Sequence, residues 1–206
     1  MQSPPRDKAN QEQIWQGLET GVFDVFSSDH AGYRYDDPEG KMKHGPNAPF
    51  KKVANGVPGL EVRTALLFSE GVGKGRIDLP KFVALTATNA AKLYGLHPRK
   101  GTIAVGSDAD LAIWDPEKEV TIRQSMIHDA MDYTPYEGKT IKGWPVTTLV
   151  RGEVVAEAGE FVGAAGRGRF LRCDISPATV PLGRRTIAFD PATGSAEPSK
   201  HGDHVH

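Results

Sequence analysis

Apolar positions in this chain change their spacing several times, and each change marks an element. Ile14, Trp15 and Leu18 fall on one side of a helix that Asp7 would cap at its start and Gly21 would close. The short apolar run from Val22 to Phe26 predicts a strand that ends at Asp29. From Ala31 to Lys52 the apolar period gives way to Gly, Pro, Asp, Lys and His, which predicts a long loop over one face of the fold. Asn55-Gly56 and Pro58-Gly59 punctuate the chain before a helix carrying Leu60, Ala65, Leu66 and Phe68 that ends near Gly71. Asp78, with Pro80 just behind it, opens another helix through Phe82, Val83 and Leu85. Thr88 or Asn89 is expected to cap a short helix finishing at Tyr94-Gly95.

After Pro98 the spacing becomes alternating: Ile103 and Val105, then Leu111 and Ile113, then Val120 and Ile122. Thr147 to Val155 predicts a strand pair around the turn Arg151-Gly152, and Glu160-Phe161-Val162 a further strand. Helix then strand in the first half and a small sheet in the second indicate an α/β chain. From Asp174 onward Pro, Gly, Ser, Arg and His dominate without an apolar period, so an extended or disordered tail is expected.

Composition narrows the function. The chain has 206 residues, 38% of them hydrophobic, enough for a real core. Lys plus Arg number 25 against 26 Asp plus Glu, so there is no basic field to hold phosphates, and nucleic acid is not expected as a partner. No apolar run approaches the roughly 20 residues of a membrane helix, and Met1 to Asp7 lack the apolar stretch of a secretory signal, so a cytoplasmic protein with no membrane partner is expected. Cys173 is the single cysteine, which excludes an intramolecular disulfide; with no histidine near it in sequence it reads as a packed or exposed side chain and not a nucleophile.

Asp29 is the most informative position. A carboxylate at the C-terminal tip of a buried parallel strand is where a (β/α)8 barrel keeps its chemistry, although a solvated loop aspartate has the same local pattern. Its company decides between them. Ser3-Pro4-Pro5-Arg6-Asp7-Lys8, Ser27-Ser28-Asp29-His30, Ala54-Asn55-Gly56-Val57-Pro58-Gly59-Leu60-Glu61, Thr88-Asn89-Ala90-Ala91-Lys92-Leu93-Tyr94-Gly95 and the stretch Lys100 to Leu111, with Gly101-Thr102-Ile103 and Gly106-Ser107-Asp108-Ala109-Asp110-Leu111, occur in that order. Together, from about Ser3 to about Leu171, they resemble the C-terminal part of the dihydropyrimidinase and hydantoinase group of the amidohydrolase superfamily.

The resemblance implies an α/β fold made of the C-terminal part of a (β/α)8 TIM barrel, residues 1–98, and part of a small β-sandwich domain, residues 99–172, followed by the tail, residues 173–206. It implies a metal-dependent hydrolase that opens dihydropyrimidine or hydantoin rings with two zinc ions. Asp29 matches the aspartate that ends the last barrel strand, serving as metal ligand and as acid and base. Ser3 and Asn55 match the residues whose main-chain groups bind the imide or ureide edge of the substrate; read alone, they would be a helix-entry serine and an Asn-Gly turn residue. Relatives of this fold also include non-catalytic assembly proteins, the alternative reading.

Departures accompany the match. Arg6 follows Ser3-Pro4-Pro5 directly, where the family usually has a leucine first, and Gly32 stands where a proline is common. The Ala31 to Lys52 insert is expected to shape which ring substituent is admitted. The family's His-x-His pair, carboxylated lysine and two further histidines have no counterpart in these residues. His30 reads as a loop residue beside Asp29, and His44, His97 and His128 as loop histidines; His204-Val205-His206 lacks the strand that would hold it rigidly. The expectation is therefore a truncated product, one half of a split enzyme or a segment of a longer protein, inactive alone and assembling as a homo-oligomer or with a complementary N-terminal half.

Overall fold

The computed structural model describes residues 7–176, together with the backbone of residues 187–189 and 196–198. The first helix, α1 (Lys8–Thr20), starts where the Asp7 side chain accepts the Asn10 N–H at 2.9 Å and stops at Gly21, whose φ is 84°. Both ends match the sequence expectation, because capping chemistry is local. Leu18 is buried while Ile14 is half exposed.

Two helical stretches form the second layer. In the first, α2 (Arg63–Leu67) continues as a π-helical turn, Phe68–Val72. Leu60, expected inside this helix, precedes it and is exposed. In the second, α3 (Leu79–Val83) is capped by Asp78, which accepts the Lys81 N–H at 2.8 Å, and runs through a π-helical turn, Ala84–Thr88, into α4 (Asn89–Leu93). The helix boundary expected at Thr88 or Asn89 is therefore absent. Both residues have helical backbone, and their side chains work elsewhere: the Thr88 hydroxyl donates to the Gly101 carbonyl at 2.6 Å and the Asn89 amide to the Asp24 carbonyl at 2.9 Å.

The sheet is antiparallel, in the order β1 (Leu111–Thr121), β2 (Thr140–Val150), β3 (Glu153–Glu157), β4 (Glu160–Phe161). The hairpin at Arg151-Gly152 and the strand at Glu160 fall where the alternation put them. Leu111, Ile113 and Val120 lie in one strand instead of two, because a bulge after Asp115 absorbs Pro116, and the Asp115 carboxylate takes the N–H groups of Glu117 and Lys118. The strand expected at Ile103 and Val105 does not form. That stretch closes into turns, Ser107 N–H to Ala104 carbonyl and Asp108 N–H to Arg99 carbonyl, leaving both apolar side chains exposed. A separate pair, β5 (Ile187–Phe189) and β6 (Ala196–Pro198), is also antiparallel.

One core holds helices and sheet together. Leu18, Leu67, Phe68, Ile77, Phe82 and Leu85 form one cluster, Val62, Ala65, Ile122, Ile141 and Trp144 another, and Trp114 packs against both. Its ring stacks on Phe68 at 5.0 Å and meets Phe82 edge-on at 5.5 Å, contacts that add directionality to plain burial. No helix among the described residues is long and apolar enough to cross a membrane.

Candidate functional site

The route to Asp29 begins at the end of α1. A strand was expected there, but the stretch from Val22 to His30 joins no ladder among the described residues. The main-chain groups of Phe26 bond to helical residues instead: its N–H donates to the Leu85 carbonyl at 2.9 Å and its carbonyl accepts from the Arg63 guanidinium at 2.7 Å. Asp29 itself has φ 46°, a left-handed conformation uncommon outside glycine and best tolerated by Asp and Asn. Its side chain is exposed and has no hydrogen-bond or ion-pair partner among the described residues. A carboxylate held on a strained backbone and left open is available for chemistry, unlike one consumed by a cap.

The next two residues fasten this stretch to the segment that carries Asn55. His30 Nδ1 accepts the N–H groups of Gly59 at 3.2 Å and Leu60 at 3.3 Å, so in the neutral ring the proton belongs on Nε2. The Ala31 N–H donates to the Val57 carbonyl at 3.2 Å. Between them Gly56 has φ 121°, and a Cβ there would overlap the Ala31 side chain and come within 2.6 Å of its carbonyl oxygen. Only glycine permits both that conformation and that approach. Residues 29–31 and 56–60 thus run against each other, which brings the segments of Asp29 and Asn55 together. Ser3 lies outside the described residues, as do His201, His204 and His206.

A cavity of about 280 Å³ opens beside this junction, with Phe26, Ser27, Ser28, Val57, Gly59 and Arg63 in its wall. Glu70 and Lys139 reach it from the other side, and Glu70 is held ionised, below the usual carboxylate range, first by its hydrogen bond to Lys74 and then by Lys139 at 3.2 Å. Asp29 and Asn55 stand outside its wall.

The loop from Ala31 to Lys52 is more built than its composition suggested. The Asp132 carboxylate accepts the N–H groups of Tyr35 and Asp36 at 2.7 and 2.9 Å, and the Lys41 ammonium donates to the carbonyls of Ala54 at 2.8 Å and Gly56 at 2.5 Å. Nothing in the sequence pattern singled out Lys41; its only trace was a lysine inside a Gly-rich, Pro-rich stretch. His128 pairs with Glu61 at 2.8 Å, and Cys173 is exposed.

Among the described residues, no three His, Cys, Asp or Glu side chains converge as metal ligands would. Asp29 is one oxygen donor, and these residues by themselves do not fit a metal centre.

Comparison with known proteins bears on what this site belongs to. A family model described as amidohydrolase family matches residues 6–155. Over 169 residues the chain is 48% identical to the D-hydantoinase of Rhizobium radiobacter, covering 82% of this chain and 36% of that protein. Over 171 residues it is 46% identical to the D-hydantoinase of Geobacillus stearothermophilus, with the same coverage. Among solved structures, dihydropyrimidinase from Brevibacillus agri superposes with a TM-score of 0.77 at 44% identity, over 82% of this chain and 36% of that one. The chain thus spans about 36% of the length of the curated relatives it matches.

Proposed function

The chain belongs to the amidohydrolase family, and from that premise we propose that it supplies the catalytic aspartate and part of the substrate-binding wall of an enzyme that hydrolyses cyclic amides of the dihydropyrimidine or hydantoin type. In this reading residues 1–98 are the C-terminal part of a (β/α)8 barrel and residues 99–172 part of a small β-sandwich domain. The observation that carries it is the packing of the Asp29-His30-Ala31 turn against Gly56 to Leu60, which brings the segment of an exposed carboxylate against the segment that follows Asn55.

Opening a cyclic amide needs an attacking hydroxide, a sink for charge on the carbonyl oxygen and an acid for the departing nitrogen. A binuclear zinc centre, to which Asp29 would contribute one ligand, would supply the first two by acidifying water and polarising the carbonyl. Its nitrogen and oxygen ligands, apart from Asp29, would have to come from outside the described residues. Asp29 takes the proton from the attacking water and delivers it to the ring nitrogen as the C–N bond breaks, the ordinary work of a general base turned general acid. The main-chain groups of Asn55, together with Ser3, orient the flat ring, since fixed N–H and C=O groups match its alternating acceptors and donors at little cost in reorganisation. Such an enzyme works in the cytoplasm and as a homo-oligomer or a complex with a complementary N-terminal half.

The test is to co-express the chain with the N-terminal portion of the Rhizobium radiobacter D-hydantoinase, add zinc, and follow ring opening of dihydrouracil and 5-substituted hydantoins. Turnover by the complex that is lost on Asp29→Ala is expected. Turnover unaffected by that substitution would remove the reading.

A further inference from the structure

In the Ala31 to Lys52 loop, Lys43 pairs with Glu39 and Arg34 with Asp37 at the surface. Lys41 is turned inward. It is half-buried, its ammonium lies 5.9 Å from the centre of the Tyr33 ring, and it pairs with no carboxylate among the described residues. Burial pulls its pKa below the usual lysine value.

Two neutral carbonyls replace only part of an ammonium's hydration, and an uncharged chain of similar length would fill the same space without that desolvation cost. What the lysine does provide is geometry. The carbonyls of Ala54 and Gly56, which Lys41 holds at 2.8 and 2.5 Å, belong to the peptide groups on either side of the one joining Asn55 to Gly56. With both outer peptide planes fixed, and with the Gly56 main chain pressed against Ala31, the Asn55 carbonyl between them has one direction to point.

Resting on the reading of Asn55 as a substrate-binding residue, we propose that Lys41 is a positioning residue that aims the main chain of Asn55 at the ureide or imide edge of the cyclic substrate. It acts through Asn55 and does not itself touch the ring.

The closing experiment uses the complemented, zinc-loaded complex. Lys41→Met is expected to raise KM for hydantoin about tenfold, the loss of one well-aimed hydrogen bond, with kcat little changed. Lys41→Arg, which keeps the charge and two donors, should recover most of the loss. A hydantoin methylated at its imide nitrogen cannot donate to the Asn55 carbonyl, so its KM should be the same in the parent and in Lys41→Met. An unchanged KM for hydantoin in Lys41→Met, an equal effect on the methylated substrate, or no recovery in a folded Lys41→Arg would each overturn the proposal alone. No turnover by the unsubstituted complex would remove the reading of the site and this proposal with it.

Discussion

The guanidinium of Arg63 donates to the main-chain carbonyl of Phe26 at 2.7 Å, in the run leading to Asp29. Arg63 comes from the start of α2 and is half-buried, with desolvation pulling its pKa down; its Nε atom is buried without a partner among the described residues. With the hydrogen bonds from the Phe26 N–H to Leu85 and from the Asn89 amide to Asp24, it ties down a stretch that joins no ladder among the described residues.

Arg63→Met should therefore loosen the approach to Asp29. Removing a charged donor from a part-buried carbonyl costs about 1.5–3 kcal/mol, which chemical denaturation would read. Hydrogen exchange at residues 24–29 should accelerate, while α1 and β2 stay protected. Unchanged exchange in that stretch would show that the anchor lies elsewhere.

Gly143 tests the joint between helices and sheet. It sits in β2 with φ 93°, and a Cβ there would overlap the Phe68 ring that stacks on Trp114. Gly143→Ala combines overpacking, about 1–3 kcal/mol, with backbone strain of similar size, about 1–3 kcal/mol. A large drop in thermal stability or insolubility is expected, whereas Gly138→Ala, also at positive φ but with nothing within 4 Å of its added Cβ, should lose far less.

How much of this could be read from sequence follows from how local each cause is. Asp7 and Gly21, Asp78, and the turn at Arg151-Gly152 act within a few residues, and their elements appeared where the pattern put them. The family motif singled out Asp29 and Asn55, and the structure packs the residues around Asp29 against those that follow Asn55. What the pattern misjudged depends on distant partners. Val22 to Phe26 has the composition of a strand but binds helix groups, and Thr88 and Asn89 have cap chemistry but spend it on Gly101 and Asp24. Ile103 and Val105 alternate but turn. Lys41 was invisible because its partners are main-chain carbonyls, which carry no sequence signature.

The His128–Glu61 pair gives a pH dependence with a definite sign. The hydrogen bond to Glu61 raises the pKa of His128 above its ordinary 6.5. A folded-state pKa above the unfolded one means the stabilisation is complete below about pH 6.5 and is lost as pH rises through the raised value. Melting temperature should fall over that window, by a small amount because both side chains are largely solvated. His128→Gln should flatten this component, and an identical pH profile in the variant would refute the assignment.

Asp29→Asn should keep the fold, since its side chain has no partner among the described residues to lose, and on the role proposed for Asp29 it should abolish proton transfer. In the complemented complex a fall in kcat of about 10²–10⁴ is expected, the usual worth of a general acid–base residue. An equal melting temperature beside that loss would place the effect in chemistry. The 206-residue chain alone, incubated with zinc and dihydrouracil, should show no turnover, because one carboxylate cannot stand in for a ligand set. Zinc-dependent activity of the chain alone that disappears in Asp29→Ala would overturn this.

The surface predicts how the isolated chain behaves. Ile103 and Val105 are 87% and 109% exposed, Phe170 and Ile175 are 90% and 84% exposed, and β1 pairs on one side only among the described residues. Exposed apolar side chains and an unpaired strand edge each favour association, because the side chains and the free N–H and C=O groups both gain by finding a partner. The isolated protein should therefore be oligomeric or poorly soluble in size-exclusion chromatography with light scattering. Replacing Ile103 and Val105 by threonine should reduce self-association without lowering the melting temperature, since neither side chain packs in the core. Co-expression with the N-terminal portion of a hydantoinase should restore both solubility and ring opening. A monodisperse monomer with one cooperative thermal transition, indifferent to the added portion, would mean that the chain satisfies its own surface, and the reading of it as part of a larger catalytic assembly would fall.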